Sequence, residues 1–295
     1  MKFYLITFLA LLSTISPLAA LSTTIFSTES ALTFDKPLSF DTTPANRKKK
    51  HDLKNQFARL MRTGLVKNMN AKQLAEGADI CLQLLDYDQA VLFLTQLVVT
   101  SDSISQQIDA KIKLADIYFE QGKLKKAADA YNDFVTIYPG DNRVAYACYK
   151  GILSNYYCTL SEDRDQTFTH TTISLCNNFL GHKNQQREYV AEVQTIKTQC
   201  HQRLFDNEIS IFEFYFKRGK YKAAETRLTN IKKSYESLLS IAAPKVIHCQ
   251  YRIAQAKGDI KIANELLASL HDNYPQYAKN IDAPLKKKID YLTRF

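Results

Sequence analysis

The stretch Ile108–Asp141, IDAKIKLADIYFEQGKLKKAADAYNDFVTIYPGD, decides the fold of this chain. Counting Ile108 as position 1, Leu114 falls at 7, Ala115 at 8, Tyr118 at 11, Gly122 at 15, Ala127 at 20, Tyr131 at 24, Phe134 at 27 and Pro139 at 32. Apolar residues three and four apart on either side of Gly122 predict two amphipathic helices joined by a tight turn. Small residues at 8 and 20 let the two helix axes approach where they cross. The bulky residues at 11, 24 and 27 fill the space between them, and Pro139 closes the second helix.

This is the tetratricopeptide pattern, with a unit of about 34 residues. The same register fits Ala71–Ser105, through Ala78, Cys81, Tyr87, Ala90, Leu94 and Leu97. It fits Phe205–Ala242, through Tyr215, Gly219, Tyr221, Ala224, Leu228 and Ile231. It fits Pro244–Tyr277, through Gly258, Ile260, Ala263, Leu267, Leu270 and Pro275. Position 8 is bulky in the last two, at Phe212 and Tyr251, so those pairs are expected to splay or repack. The interval from Ala127 to Ala224 is more than twice the others and should hold one degenerate repeat. Gly151 would open that repeat, Thr172, Cys176 and Phe179 would take positions 20, 24 and 27, and Ser161–Gln166 would form an enlarged turn. The expected fold is an all-α tetratricopeptide-repeat solenoid of about five helix–turn–helix repeats.

The domain organisation follows. Residues 1–22 carry Lys2, the apolar run Leu5–Leu12 and the small-x-small site Ala20-Leu21-Ser22, the pattern of a cleavable export signal. Residues 23–50 are rich in Ser and Thr and read as a disordered linker. The repeat domain spans 51–280, beginning with a helix from His51 through Leu53, Phe57, Leu60, Met61 and Leu65, and 281–295 form a tail. The 45% hydrophobic content suffices for a core, and 8 Gly and 7 Pro are too few for a turn-rich β protein.

The net charge of +9 is spread, with runs at Arg47–Lys50 and Lys286–Lys288 flanking the repeats. A nucleic-acid surface would gather its charge on one face with interleaved aromatics, so nucleic acid is not expected as a partner. None of the six cysteines forms a C-x-x-C pair, which removes zinc and thioredoxin-like chemistry. Buried thiols at Cys81 and Cys176 are expected, with oxidation to unspecified disulfide pairs the alternative for an exported chain. No G-x-S-x-G, H-E-x-x-H, P-loop or G-x-G-x-x-G occurs, and the histidines lack ligand spacing. The chain is read as a non-enzyme, without cofactor or metal.

What remains is a binding groove, lined in such superhelices by positions 2, 5, 9, 12 and 13 of each first helix. In the second repeat these are Asp109, Ile112, Asp116, Phe119 and Glu120. In the fourth they are Asp206, Ile209, Glu213, Phe216 and Lys217, and in the fifth Lys245, His248, Arg252, Gln255 and Ala256. Phe119 and Phe216 are candidates for aromatic anchors exposed in the groove. The acidic second and basic fifth repeats suggest two binding regions; a solvated charged face is the simpler alternative.

Across roughly residues 70–280 the chain resembles the BamD family, outer-membrane lipoproteins of the β-barrel assembly machine. One matching block runs from Leu114 to Tyr118 and on through Ala127, Tyr131, Phe134, Tyr138 and Pro139. A second is Asp163-Arg164-Asp165 in the enlarged turn. A third runs from Glu208 through Phe214-Tyr215-Phe216-Lys217-Arg218-Gly219-Lys220-Tyr221 to Ala224 and Arg227. The resemblance implies a scaffold at the periplasmic side of the outer membrane. Its C-terminal repeats would bind the last periplasmic domain of the barrel-forming outer-membrane insertase, with Arg218 and Arg227 as partner-facing or repeat-packing charges. Its N-terminal repeats would contact unfolded outer-membrane proteins around Asp116, Phe119 and Glu120. The family attaches lipid to a Cys at the end of its signal, and no Cys precedes Cys81 here. Association peripheral to the membrane, through a partner, basic segments or an uncleaved signal, is therefore expected. The alternative is another exported tetratricopeptide adaptor in envelope organisation or secretion.

Overall fold

A computed structural model describes residues 44–181, 188–234 and 239–281. The expected export signal, most of the linker, the run Lys286–Lys288 and the tail lie outside the described residues. Among those described, regular structure is helical throughout, with no strand. The chain divides between Asn55 and Gln56, and all packing below concerns the second unit.

The leading helix, α1, covers Pro44–Met61 and so begins before the expected His51. Pro44 suits a first helical position, where no backbone donor is needed. The Arg47–Lys50 run that follows is made of good helix formers rather than linker residues. A single 3-10 turn at Val66–Asn68 leads to α2, Ala71–Gln83. Asn70 caps α2 reciprocally: its side chain accepts from the Gln73 amide at 2.9 Å, and the Gln73 side chain accepts from the Asn70 amide at 3.1 Å.

Helices then follow in pairs: α2 with α3 (Tyr87–Thr100), α4 (Ile104–Glu120) with α5 (Leu124–Ile137), and α6 (Val144–Tyr157) with α7 (Thr167–Gly181). Beyond them come α8 (Val190–Lys217) with α9 (Tyr221–Ser234), and α10 (Leu239–Lys257) with α11 (Ile260–Asn273). The turns of three pairs reach left-handed backbone at glycine, with φ +67° at Gly122, +70° at Gly219 and +83° at Gly258. In the first pair Leu85 takes the same register position at φ +58° without that freedom.

The alanines of the pattern are buried to 0–3% exposure at 78, 90, 115, 127, 224 and 263, as expected of helix crossings. Gly77 makes a closer approach still. A β-carbon there would lie 2.4 Å from the fully buried Phe93 ring. Phe212 keeps position 8 bulky and is itself fully buried, lying 5.7 Å from the Phe216 ring. Tyr251 packs with Ala254 and Ala263, flanked by Leu266 and Leu267.

The long interval is built differently from the expectation. Gly151 sits in the middle of α6 rather than opening the third pair, because α6 already begins at Val144. The remaining length goes into α8, 28 residues long, whose first half packs on α7 and whose second half pairs with α9. Thr172, Cys176 and Phe179 are buried on α7 as expected. The enlarged turn is held from α8, where Arg203 donates to the Leu160 carbonyl at 2.9 Å and Asn207 to that of Glu162. Pro244, expected to open the last pair, lies inside α10.

The cysteines are thiols, with 81, 176, 200 and 249 buried. Burial pushes the Cys81 and Cys249 thiols up to about 12, so they are protonated core residues, not nucleophiles.

Candidate functional site

The face formed by the first helices carries charge pairs between α2 and α4, between α4 and the start of α6, and between α8 and α10. Asp79 of α2 meets Lys113 of α4 at 2.7 Å. Asp109 of α4 meets Arg143, just before α6, at 2.6 Å. Asp206 of α8 meets Lys245 of α10 at 2.8 Å, and Glu213 receives both terminal nitrogens of Arg252. These partners stand 34, 34, 39 and 39 residues apart, one repeat each. Asp109 of the acidic second repeat and Lys245 and Arg252 of the basic fifth repeat are thus paired with neighbouring helix pairs.

Asp116 lies at the centre of the N-terminal half of this face. Its Oδ1 accepts from the Tyr131 hydroxyl of α5 at 2.6 Å and from the Tyr146 hydroxyl of α6 at 2.8 Å. Burial raises its carboxyl above the usual range; the two hydroxyls and nearby Lys150 and Arg143 act in the opposite sense and are outweighed. Asp116 thus ties three helices together and is half-buried between them.

Phe119, expected to be an exposed anchor, is 6% exposed. The next first helix covers it: the Lys150 ammonium sits 4.1 Å above its ring and Tyr157 lies 6.0 Å away. Glu120, one residue on, is exposed. The aromatic surface of this half instead comes from α6 and the start of α8. Tyr149 and Tyr189 stack at 4.7 Å with planes 4° apart, and Tyr146 lies 6.4 Å from Tyr189. Tyr189 has left-handed backbone at φ +61°, an uncommon conformation for an aromatic residue. The register that placed Gly151 at the start of the pair hid these tyrosines.

In the C-terminal half Phe216 is half-buried beneath Arg252, whose guanidinium carbon lies 4.3 Å above the ring. It is part of the α8–α10 packing rather than an open anchor. Beside them His248 lies 6.3 Å from the Tyr251 ring, and burial, with the Arg252 charge second, lowers its pKa. Arg227 of α9 faces inward to Glu208 of α8 at 3.6 Å, an ion pair too long for a hydrogen bond. It leaves Glu208 Oε2 buried without a donor among the described residues. Of the two family-matched arginines, Arg227 packs the pair and Arg218 faces solvent. Arg218 stacks 3.6 Å above Phe214, itself 50% exposed. An exposed Phe–Arg pair is the side-chain chemistry enriched at protein interfaces.

Among the described residues no cluster of three or more His, Cys, Asp or Glu could hold a metal ion, and no helix is long and apolar enough to cross a membrane. A stack of helix pairs, with charges paired between neighbouring first helices and an exposed Phe214–Arg218 pair, defines an all-α solenoid of the tetratricopeptide kind. The family of outer membrane lipoproteins called YfiO matches residues 67–270. The chain belongs to this family, the BamD family, which points to an outer-membrane assembly scaffold. A search of curated proteins finds no match.

Proposed function

We propose that this chain is a non-enzymatic scaffold subunit of the machine that assembles β-barrel proteins into the outer membrane. The family match over residues 67–270 carries the reading. After export directed by residues 1–22, it works on the periplasmic side, peripheral to the outer membrane. Its C-terminal helix pairs bind the periplasmic domain of the barrel-forming insertase, and its N-terminal pairs contact unfolded outer-membrane proteins.

The exposures support a division of the candidate residues by role. Arg218 and Glu120 are open to a partner, and Phe214 and the Tyr149–Tyr189 stack join them as contact surface. Asp116, Phe119, Phe216 and Arg227 act by holding helices in place. The test is affinity purification of the tagged full chain from detergent-solubilised envelope, beside an Arg218→Ala, Phe214→Ala variant. Recovery of the insertase with wild type and its loss with the variant is expected. Recovery of envelope proteins without the insertase would replace this reading with that of an adaptor in envelope organisation or secretion.

A further inference from the structure

Two clefts of this solenoid stand at equivalent places in their repeats, and an ion pair crosses the second of them. The first, about 520 Å³, lies between α5, α6 and α7; the second, about 510 Å³, between α9, α10 and α11. Their walls correspond at several positions, while Asp129 and Asn178 of the first have no counterpart in the lining of the second. Asn132 on α5 matches Thr229 on α9, Gly151 and Ile152 on α6 match Ile253 and Ala254 on α10, and Leu175 on α7 matches Leu266 on α11. In the C-terminal cleft Glu225 and Lys257 meet at 2.5 Å, joining α9 to α10. The corresponding positions in the other cleft are Ala128 and Asn155, which cannot form that bridge.

The open cleft has the chemistry of a main-chain receptor. Its inner wall is apolar, from Ala147, Ile152, Leu175 and the buried Phe179. Three carboxamides, Asn132, Asn155 and Asn178, reach it from three helices. Asn132 and Asn178 are exposed, and their side chains make no hydrogen bond among the described residues. Asn155 donates to the Gly151 carbonyl at 2.9 Å and keeps acceptor capacity. A carboxamide offers both a donor and an acceptor, the complement of a peptide group. Asp129, exposed, is the one charged residue in the lining. The volume falls within the roughly 300–1,000 Å³ of ligand pockets.

We propose that the α5–α6–α7 cleft binds an extended, otherwise uncharged peptide segment of a partner protein. Apolar side chains of the segment enter against Ile152 and Leu175, its main chain pairs with the three asparagines, and a basic side chain faces Asp129. The site combines the first helix α6 with the second helices α5 and α7 and does not depend on the insertase assignment.

The probe is a capped heptapeptide alternating serine and leucine, with one lysine and a terminal tryptophan. The full chain has no tryptophan, so probe fluorescence anisotropy reports binding alone. Saturable binding is expected, weakened at least tenfold by Ala128→Glu with Asn155→Lys, which rebuilds the ion pair of the other cleft. Asn132→Ala with Asn178→Ala, both exposed and therefore safe for folding, is expected to weaken it several-fold. This pair decides the matter if the first variant melts early in circular dichroism. Absence of saturable binding, or binding indifferent to the asparagine variants, would overturn the proposal. So would equal binding of a probe in which the lysine is replaced by glutamate.

Discussion

Arg252 of α10 donates through both terminal nitrogens to the two carboxylate oxygens of Glu213 on α8, and the same guanidinium lies over the Phe216 ring. One residue thus joins two helix pairs through charge and through aromatic packing at once. That hydrogen bonding holds the Glu213 carboxyl below the usual range. A depressed folded pKa contributes stability above the unfolded value, about 4.3, and loses it as pH falls through the folded one. Glu213→Gln is expected to cost about 1 kcal/mol at pH 7, the upper end for a partly exposed pair. The difference from wild type should shrink toward zero in urea melts below that folded pKa.

Asp116 has the opposite sign. Its folded pKa is raised, chiefly by burial, so its contribution is most favourable below the unfolded value and declines as pH rises through the folded one. Asn keeps an oxygen for the Tyr131 and Tyr146 hydroxyls and removes the buried charge. Asp116→Asn is expected to match or exceed wild-type stability at pH 7 and to lose this pH slope. Asp116→Ala leaves the hydroxyls without their acceptor and should cost about 2–3 kcal/mol. Thermal melts of both variants between pH 4 and 8 provide the check.

Gly77→Ala tests the closest helix approach. Its β-carbon would meet the Phe93 ring at 2.4 Å, and Phe93, fully buried, has no open space to retreat into. Overpacking of this kind costs about 1–3 kcal/mol. A lowered denaturation midpoint with unchanged helical signal is expected.

The fold was legible because the pattern recurs: Ala90, Ala127, Ala224 and Ala263 each lie at a helix crossing and are almost wholly buried. The third pair was not, because its first helix has Ala147 rather than Gly151 near the crossing and nothing in the local sequence marks α8 as continuous across 28 residues. The groove was legible as a set of positions but not as exposures. The place of Phe119 on α4 points to the groove, whereas its cover comes from Lys150 and Tyr157 of α6, a helix the repeat register does not locate. The inter-repeat ion pairs were hidden for a related reason. Asp206 and Lys245 occupy equivalent positions of adjacent repeats, and that equivalence itself brings them together. Phe214 was missed because its position lies outside the groove set, although Arg218 four residues on offered the stacking partner.

Because the pairs Asp79–Lys113, Asp109–Arg143 and Asp206–Lys245 lie at the surface, salt screens them. Lys113→Ala with Lys245→Ala should lower stability by about 1 kcal/mol in low salt, and the deficit should narrow at 1 M salt. Chemical denaturation in urea, which adds no ionic strength, measures both arms.

The scaffold assignment is tested most directly by photocrosslinking in intact cells, with a photoreactive residue placed in turn at Arg218 and at Glu120, both solvent-facing. The account predicts that position 218 captures the barrel-forming insertase and that position 120 captures newly exported outer-membrane proteins. Capture of neither, from a chain shown to be folded and exported, would contradict it.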